Sequence, residues 1–187
     1  GTPGETVTIK DGDTVVGTAT VNPDGTWSFT TPVQGEGPHS YTASTPSGGT
    51  SAPFTFTVDT TAPKIAVSID KTALTSDATA IVTFTLSEAS TDFVQGDVKV
   101  TGGSIGPLTQ SSTNPRVYTA TFTPDNVTGS TSAAASIQVE SDKFSDAAGN
   151  LNKDGAEADN TVSVSVSAGQ GNAAIALDPI TGDNVIT

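Results

Sequence analysis

Apolar and polar residues alternate along most of the chain, which is the pattern of β-strands with one buried face. Thr, Ser, Val and Ala carry the alternation, and the β-branched residues among them suit pleated surfaces. In the first third of the chain the pattern predicts strands at 6–9, 14–21, 26–30, 41–44 and 54–58. The sequence NPDG at 22–25 predicts a hairpin turn. Trp27 and Phe29 share one face of the strand predicted at 26–30, and we expect Trp27 to anchor a core.

A second run of strands follows a break in the pattern. The break, DTTAP at 59–63, predicts a short, stiff linker because proline restricts itself and the residue before it to extended shapes. The strands predicted beyond it lie at 64–69, 80–87, 97–101, 116–123, 135–140 and 160–166. Their spacing is that of an antiparallel β-sandwich. We therefore predict an all-β chain with a partial domain at 1–59, a complete domain at 60–168, and a linker and first strand of a further or split domain at 169–187.

Composition narrows the possible partners. The 187 residues include 7 basic and 20 acidic ones, for a net charge of −13, and such a surface repels the phosphates of nucleic acids. No apolar run reaches about 18 residues, so we expect no membrane insertion. Cysteine is absent and His39 is the single histidine, which argues against zinc. Small secreted domains often contain disulfides, and bound calcium is the replacement that this composition favours.

Oxygen-bearing side chains gather in segments that a sandwich brings to one pole. Alternate loops of a sandwich lie at opposite poles, so the loops at 88–95 and 141–159 return to the pole where the linker arrives. Calcium takes about six to eight oxygen ligands from carboxylates, amides and carbonyls. The predicted calcium ligands are Asp59, Glu88, Asp142, Asp146, Asn150, Asn152 and Asp154. Asp11, Asp13 and Glu36 in the first domain are weaker candidates, because Asp-Gly is also an ordinary turn.

Several short motifs, in this order and spacing, resemble one family. They are NPDGTWSF at 22–29, DTTAPKI at 59–65, SDAAGNLN at 145–152 and LDPITGDNVIT at 177–187. They resemble the bacterial immunoglobulin-like repeats of giant type I-secreted, RTX-type adhesins and biofilm-associated surface proteins. The resemblance implies tandem immunoglobulin-like antiparallel β-sandwiches, an extracellular place on the bacterial cell surface, and a role as structural extender repeats. It also implies calcium that stiffens the junctions, with neighbouring repeats of the same protein as partners.

The order of these motifs is unusual. In the family a segment like 177–187 precedes the half that 1–59 resembles, whereas here it stands at the end. We therefore expect residues 173–187 to supply the type of first strand that 1–59 lacks. The tail would add an edge strand to the open sheet of the partial domain. It would do so in its own chain or by strand exchange with another copy, and another copy is the easier partner.

No catalytic pattern accompanies these features, and we expect that the chain is not an enzyme. A Ser-His-Asp or Cys-His site needs a positioned base, and His39 is expected in a surface loop without partners. The sequence contains no G-x-S-x-G motif and no cysteine. Two alternatives to the extender stay open: a calcium-dependent carbohydrate- or ligand-binding module, and a fibre subunit assembled by strand exchange. Exposure of Trp27 or Tyr118 beside a groove would favour the binding module.

Overall fold

The computed structural model describes residues 1–129, 132–154 and 158–169. The chain divides into two compact units, Gly1–Thr61 and Ala62–Thr187. Both are built from β-strands, and the helical element among the described residues is a 3₁₀ turn at Gln95–Asp97. A bilayer-spanning helix, long and apolar, does not occur in those ranges. The strand and the strand exchange predicted for 173–187 lie outside the described residues.

The first unit is one antiparallel sheet of four strands. These strands are β1 (Thr6–Asp11), β2 (Thr14–Thr20), β3 (Gly37–Ser44) and β4 (Phe54–Val58), in the spatial order β2-β1-β3-β4. Two residues, Gly12 and Asp13, join β1 to β2, and Gly12 takes the positive φ of 55° that a tight hairpin loop needs. The sheet confirms four of the five strands that the alternation predicts for this part of the chain.

The core of the first unit is small. Its fully buried apolar side chains are Val7, Ile9 and Val21. Phe29 packs against them and fills the space beside Gly17, where an added Cβ atom would lie 2.3 Å from the Phe29 ring. Four large apolar side chains of this unit are exposed, namely Val15, Trp27, Val33 and Phe54. Because an apolar sheet face is normally buried against a second layer, one sheet alone leaves apolar surface in contact with solvent.

The strand predicted at 26–30 is wrong, because these residues form no strand. The turn before it does form, and the Asp24 carboxylate accepts the Thr26 N–H at 3.0 Å. A strand needs a neighbour to share hydrogen bonds with, and no described strand pairs with the chain beyond this turn. Trp27 is 40% exposed, so its predicted place as the core anchor is wrong as well.

The second unit is a β-sandwich. Its strands are β5 (Ile65–Ile69), β6 (Ala73–Thr75), β7 (Ala80–Leu86), β8 (Val98–Thr101), β9 (Gly103–Ile105), β10 (Thr109–Gln110), β11 (Val117–Pro124), β12 (Ser132–Val139) and β13 (Thr161–Ser167). One sheet has the order β10-β11-β7-β5, with β9 also paired to β11, and the other has the order β6-β13-β12-β8. The pairs are antiparallel except for β6 with β13. The predicted antiparallel sandwich is confirmed.

The two sheets of the second unit cover each other's apolar faces. Alternate residues are buried along β7, and β11 and β12 show the same alternation toward the core. Four aromatic rings meet at one end of this core. Phe93 packs edge-on against Phe84, Tyr118 and Phe144, with ring centroids 5.2 to 5.6 Å apart. We call these four rings the aromatic cluster.

Three short strands of the second unit are not among those that the alternation predicts. They are β6, β9 and β10, and each has only two or three residues. A period of two cannot be recognised over so short a stretch. The six longer strands match the predicted segments, with ends that differ by a few residues.

The chain enters and leaves the second unit at opposite poles. Beside the linker, the Lys153 N–H donates to the Pro63 carbonyl at 3.0 Å. At the other end, the Ser76 N–H donates to the Ser167 carbonyl at 2.9 Å, and the Gly169 N–H donates to Oγ of Ser76 at 3.1 Å. β13 runs between the two ends, and its 7 residues span about 23 Å. We call these ends the linker pole and the far pole.

His39 lies in β3, so the expectation of a surface-loop residue without partners was wrong. Its Nδ1 is 2.5 Å from Oδ2 of Asp11, its Nε2 is 2.9 Å from the Gly35 carbonyl, and its ring stacks on Phe56. Two acceptors on the two ring nitrogens favour the protonated imidazolium. The hydrogen bond to Asp11, and after it the one to Gly35, raises the pKa of His39 above 6.5. The bond from His39, followed by that from the Ser40 N–H, lowers the pKa of Asp11 below 3.8.

The aromatic cluster predicts where the second unit is most sensitive to truncation. Phe144 is fully buried, so Phe144→Ala should lower the free energy of unfolding of this unit by about 3–5 kcal/mol. Leu151, in the same loop, is 48% exposed, and Leu151→Ala is the matched control, expected to change it by less than about 1 kcal/mol. Scanning calorimetry of both variants provides the measurement. Equal losses in the two variants would contradict the assignment of Phe144 to the core.

The pKa shifts of His39 and Asp11 predict that the first unit is most stable in mildly acidic solution. The His39 contribution is fully present below pH 6.5 and is lost as the pH rises through the raised pKa of the folded state. The Asp11 contribution is present above pH 3.8 and is lost as the pH falls through its lowered pKa. Urea unfolding followed by Trp27 fluorescence should therefore give a higher midpoint at about pH 5.5 than at about pH 8. His39→Gln should remove this difference, and a variant that keeps it would refute the role of the pair.

Candidate metal centre

The loop between β12 and β13 is held by one buried amide. Oδ1 of Asn152 accepts the Lys143 N–H at 2.6 Å and the Phe144 N–H at 3.1 Å, and its Nδ2 donates to the Glu140 carbonyl at 3.1 Å. Asn152 is 0% exposed. An amide oxygen has two lone pairs, and the two backbone N–H groups use both. The hydrogen bonds of Asn152 therefore give this predicted ligand a structural role.

The aromatic cluster brings a second loop beside the first. Phe144 belongs to the β12–β13 loop, and Phe93 belongs to the loop that follows β7; their ring centroids are 5.2 Å apart. The hydroxyl of Tyr118 donates to the Ser90 carbonyl at 3.0 Å and fixes the start of the β7 loop. Packing in the core thus sets the position of two polar loops at the linker pole.

Asp92 joins the two loops, and it is not among the ligands predicted from the sequence. Its Oδ1 accepts the Ser145 N–H at 2.8 Å and its Oδ2 accepts the Ser145 hydroxyl at 2.6 Å. Burial raises the pKa of Asp92, but the bonds from Ser145, with that from Ser90, outweigh burial and lower it overall. The spacing Ser90-x-Asp92, in which the serine hydroxyl also donates to the carboxylate at 2.7 Å, was the available signal.

Asp146 is a buried carboxylate with fixed geometry. Its Oδ1 accepts the N–H groups of Ala148 at 2.8 Å and Asn150 at 2.9 Å, and its Oδ2 accepts Nδ2 of Asn150 at 2.9 Å. The side chain is 6% exposed. Burial raises its pKa, yet the hydrogen bonds from Asn150, Ala148 and Gly149 together lower it below 3.8. Asp146 is therefore ionised at neutral pH, with its charge held at one point.

Glu88 supplies a second carboxylate at the same place. It follows Ser87, whose N–H donates to the Lys64 carbonyl and whose hydroxyl accepts the Lys64 N–H, both at 2.9 Å. A carboxylate oxygen of Glu88 and one of Asp146 lie within 4.8 Å of each other. Two carboxylates at this separation, one buried and one half-buried, suit a hard divalent cation that both oxygens contact.

Asp154 connects the β12–β13 loop to the first strand of the unit. Its Oδ1 accepts the Ile65 N–H at 2.7 Å, its Oδ2 accepts Nδ2 of Asn152 at 3.2 Å, and it is 2% exposed. Both carboxylate oxygens therefore already serve the framework around the linker pole. Asp142 is exposed, with a positive φ of 62°. Asp59 belongs to the first unit, where its carboxylate accepts the Thr61 N–H at 3.1 Å.

The predicted ligands of the second unit thus fall into two groups, according to the residues that they contact. The structure places Glu88 beside Asp146 and bonds Asn150 to Asp146. It uses Asn152 and Asp154 for internal hydrogen bonds. Metal ligation by any of these residues stays a prediction.

The acidic residues of the first unit hold its own backbone. Oε2 of Glu36 accepts the N–H of Thr60 at 2.9 Å and its hydroxyl at 2.6 Å, which lowers the pKa of Glu36. Asp11 is occupied by His39 and by the Ser40 N–H. Because Nε2 of His39 faces the Gly35 carbonyl, this His-Asp pair directs no ring nitrogen at a nucleophile.

The bacterial Ig-like domain is the family whose model matches this chain, over residues 59–166, which is more than half of its length. No curated protein matches significantly. Among solved structures, domains 4 and 5 of the S-layer protein SbsC share 20% identity with a TM-score of 0.38, covering 87% of this chain and 70% of that one.

Invasin, described as a bacterial integrin-binding protein, is similar at 17% identity and a TM-score of 0.40. That similarity covers 88% of this chain but only 32% of the invasin chain. A glycosyl hydrolase family 2 member from Bacteroides cellulosilyticus DSM 14838 has 14% identity and a TM-score of 0.33, covering 87% of this chain and 23% of that one. On the strength of the family match over 59–166, this chain belongs to the bacterial Ig-like domain family.

Proposed function

We propose that the chain is a structural extender segment of a bacterial cell-surface protein and that it has no catalytic activity. One observation carries the proposal: the second unit receives the chain at the linker pole and releases it at the far pole, one strand length away. Units with this connectivity can be strung end to end, each adding its length to the array. The partners are then neighbouring Ig-like units of the same protein.

The finer assignment is to the repeats of a type I-secreted, RTX-type adhesin of the kind found in biofilms. The motifs at 22–29, 59–65, 145–152 and 177–187 support this proposal by their resemblance to such repeats. The net charge of −13 is in keeping with a secreted, soluble segment.

A calcium ion at the linker pole would make the extender stiff. Glu88 and Asp146 are the proposed core ligands, and Asp59 is the proposed third carboxylate. Asp59 stands four residues before Pro63, which is bonded to the β12–β13 loop through Lys153. Four residues reach at most about 14 Å, so the linker can bring the Asp59 carboxylate to Glu88 and Asp146.

The other predicted ligands have different proposed roles. Asn150 is the proposed amide ligand, and the exposed Asp142 stays a predicted ligand. Asn152 and Asp154 hold the loop in place.

The proposed switch follows from charge. Carboxylates that share a site repel one another when it is empty, and a divalent cation converts that repulsion into attraction. A ligand on the linker would couple the ion to the chain that enters the unit. Because the ion binds the folded state, it also stabilises that state by mass action.

Calcium should therefore raise the melting temperature of the second unit. At a calcium concentration one hundred times the dissociation constant, the gain is about 2.7 kcal/mol. Glu88→Gln and Asp146→Asn should remove most of the shift, whereas Asp125→Asn, an exposed site with the same change of charge, should retain it. Calorimetry with calcium and with chelator measures this. An identical melting temperature in both conditions would exclude the site.

Asp59→Asn tests the linker ligand separately. It should leave the melting temperature of the second unit in chelator unchanged, because Asp59 lies outside that unit. It should weaken calcium binding about tenfold or more, since one carboxylate of the set is lost. Isothermal titration of calcium gives the affinity. Unchanged affinity in this variant would restrict the site to the second unit and remove its effect on the linker.

A ligand-binding module is the second candidate, and the exposure of Trp27 favours it. Trp27 borders a groove of about 290 Å³ in the first unit, together with Phe29, Tyr41 and Phe54. Binding sites for polar ligands combine such rings with precisely placed polar groups. The described residues of this groove offer hydroxyls of Thr and Ser but no amide or charged side chain, so an apolar occupant fits it better than a sugar. Exposure of Tyr118 would also have favoured a binding module, but Tyr118 is only 7% exposed and lies in the core of the second unit.

Strand exchange with another copy through residues 173–187 is proposed as a further partner interaction. The observation that favours it is the single-layered first unit, whose apolar groove borders Trp27. It would make the segment a fibre subunit as well as an extender.

A further inference from the structure

The apolar groove of the first unit is built like the inner face of a sandwich. Trp27, Phe29 and Tyr41 line it with Ile9 and Phe54. Trp27 is 40% and Phe54 is 69% exposed, although large apolar side chains normally lie on the covered face of a sheet. Such a face is typical of an interaction surface.

A polar atom inside this face also lacks a partner. The hydroxyl of Tyr41 is buried and makes no hydrogen bond to any described residue. A buried hydroxyl left unpaired is costly. The Tyr41 hydroxyl is already covered by atoms of the first unit, so its missing partner adds a local energetic cost beside the groove.

Residues 27–31 border the groove, and their backbone groups could pair with an added β-strand. Trp27, Phe29 and Thr31 all line the groove. None of the backbone groups at 27–31 is bonded to another described residue. Backbone N–H and C=O groups beside an apolar face are the template to which an added β-strand pairs.

We infer that this groove accepts an extended strand, residues 173–187 of a second copy of the chain, which pairs with 27–31 and covers Trp27. This inference rests on the strand exchange proposed above and specifies its acceptor. The acceptor is the open face of the first unit, not the free edge of β2 or β4. Pairing at an edge would leave the groove and Trp27 as exposed as they are now.

The sequence of the tail suits this place. In an extended strand Ile175 and Leu177 point to one side, and Ala174 and Ala176 to the other. One side therefore carries branched apolar side chains for the groove, and the other carries small residues. The backbone of the same strand offers donors and acceptors to the backbone at 27–31.

The geometry of the second unit favours another copy over the same chain. The described part of this unit ends with Gly169 at the far pole, bonded to Ser76. Only residues 170–172 separate that point from the tail strand, and they span at most about 11 Å. The first unit is joined at the linker pole, about 23 Å away along β13. The groove of another copy is not subject to this limit of reach, so a second copy is the easier acceptor of the tail.

Trp27 is the single tryptophan of the chain, so its fluorescence reports directly on the groove. The full chain is measured over a range of concentrations by light scattering and by Trp27 emission. We expect the mass to increase at least twofold with concentration, together with a shift of the emission to shorter wavelength. Dilution should reverse both changes.

Two double variants of the full chain provide the matched comparison. I175D/L177D places charges on the side of the strand that faces the groove and should abolish both the association and the emission shift. A174D/A176D adds the same charge to the opposite side and should retain both. A peptide of residues 172–187 added to I175D/L177D should restore the emission shift without increasing the mass beyond one chain plus peptide.

The outcomes separate this inference from the proposal on which it rests. Association that depends on Ile175 and Leu177 but leaves Trp27 emission unchanged would refute the groove and place the exchange at a sheet edge. A monomer at every concentration, with the added peptide causing no shift in I175D/L177D, would refute strand exchange itself. A tail-dependent emission shift that does not vary with concentration would overturn the second copy in favour of the same chain. Association that survives I175D/L177D would show that another surface makes the contact.

Discussion

An apolar sheet face has to be covered, and this constraint separates the two units of the chain. In the second unit two sheets cover each other, and the core contains fully buried Phe84, Phe122 and Phe144. In the first unit the described strands form one sheet of four, and the buried core is reduced to Val7, Ile9 and Val21. Because burial of apolar area is the main favourable term in folding, the first unit has the smaller stability reserve and the greater need of a partner.

The linker pole shows how core packing positions polar chemistry. Phe93 and Phe144 belong to different loops, and their contact inside the aromatic cluster places those loops side by side. Asp92 and Asn152 then hold the backbone of the β12–β13 loop. Asp92 accepts the Ser145 N–H, and Asn152 accepts the Lys143 N–H. Glu88 and Asp146 consequently meet without being neighbours in sequence. The framework of the two loops therefore preorganises this pair of carboxylates.

The sequence predicted the long strands well because their period of two is a local property. It failed at 26–30, where the same alternation occurs but the neighbour that a strand needs is absent among the described strands. Trp27 was misplaced for the same reason. The meeting of Glu88 with Asp146 follows from sandwich topology and could be predicted. The sequence could not predict which polar side chains bond to backbone N–H groups and which contact solvent. The bonds of Asp154 and Asn152 depend on loop geometry that no short motif encodes.

The opposite placement of the two chain ends also decides how the second unit bears tension. A pull on the protein would act on β5 at one pole and on β13 at the other, along the direction of the strands. β5 is bonded to β7 and β13 to β12 and β6, so the hydrogen bonds of each ladder are loaded together in shear and do not open one after another. β5 also continues through residues 70–72 into β6, which pairs with β13, so part of the load passes between the sheets through the parallel β6–β13 ladder. The unit is therefore expected to resist tension that is applied between its two ends.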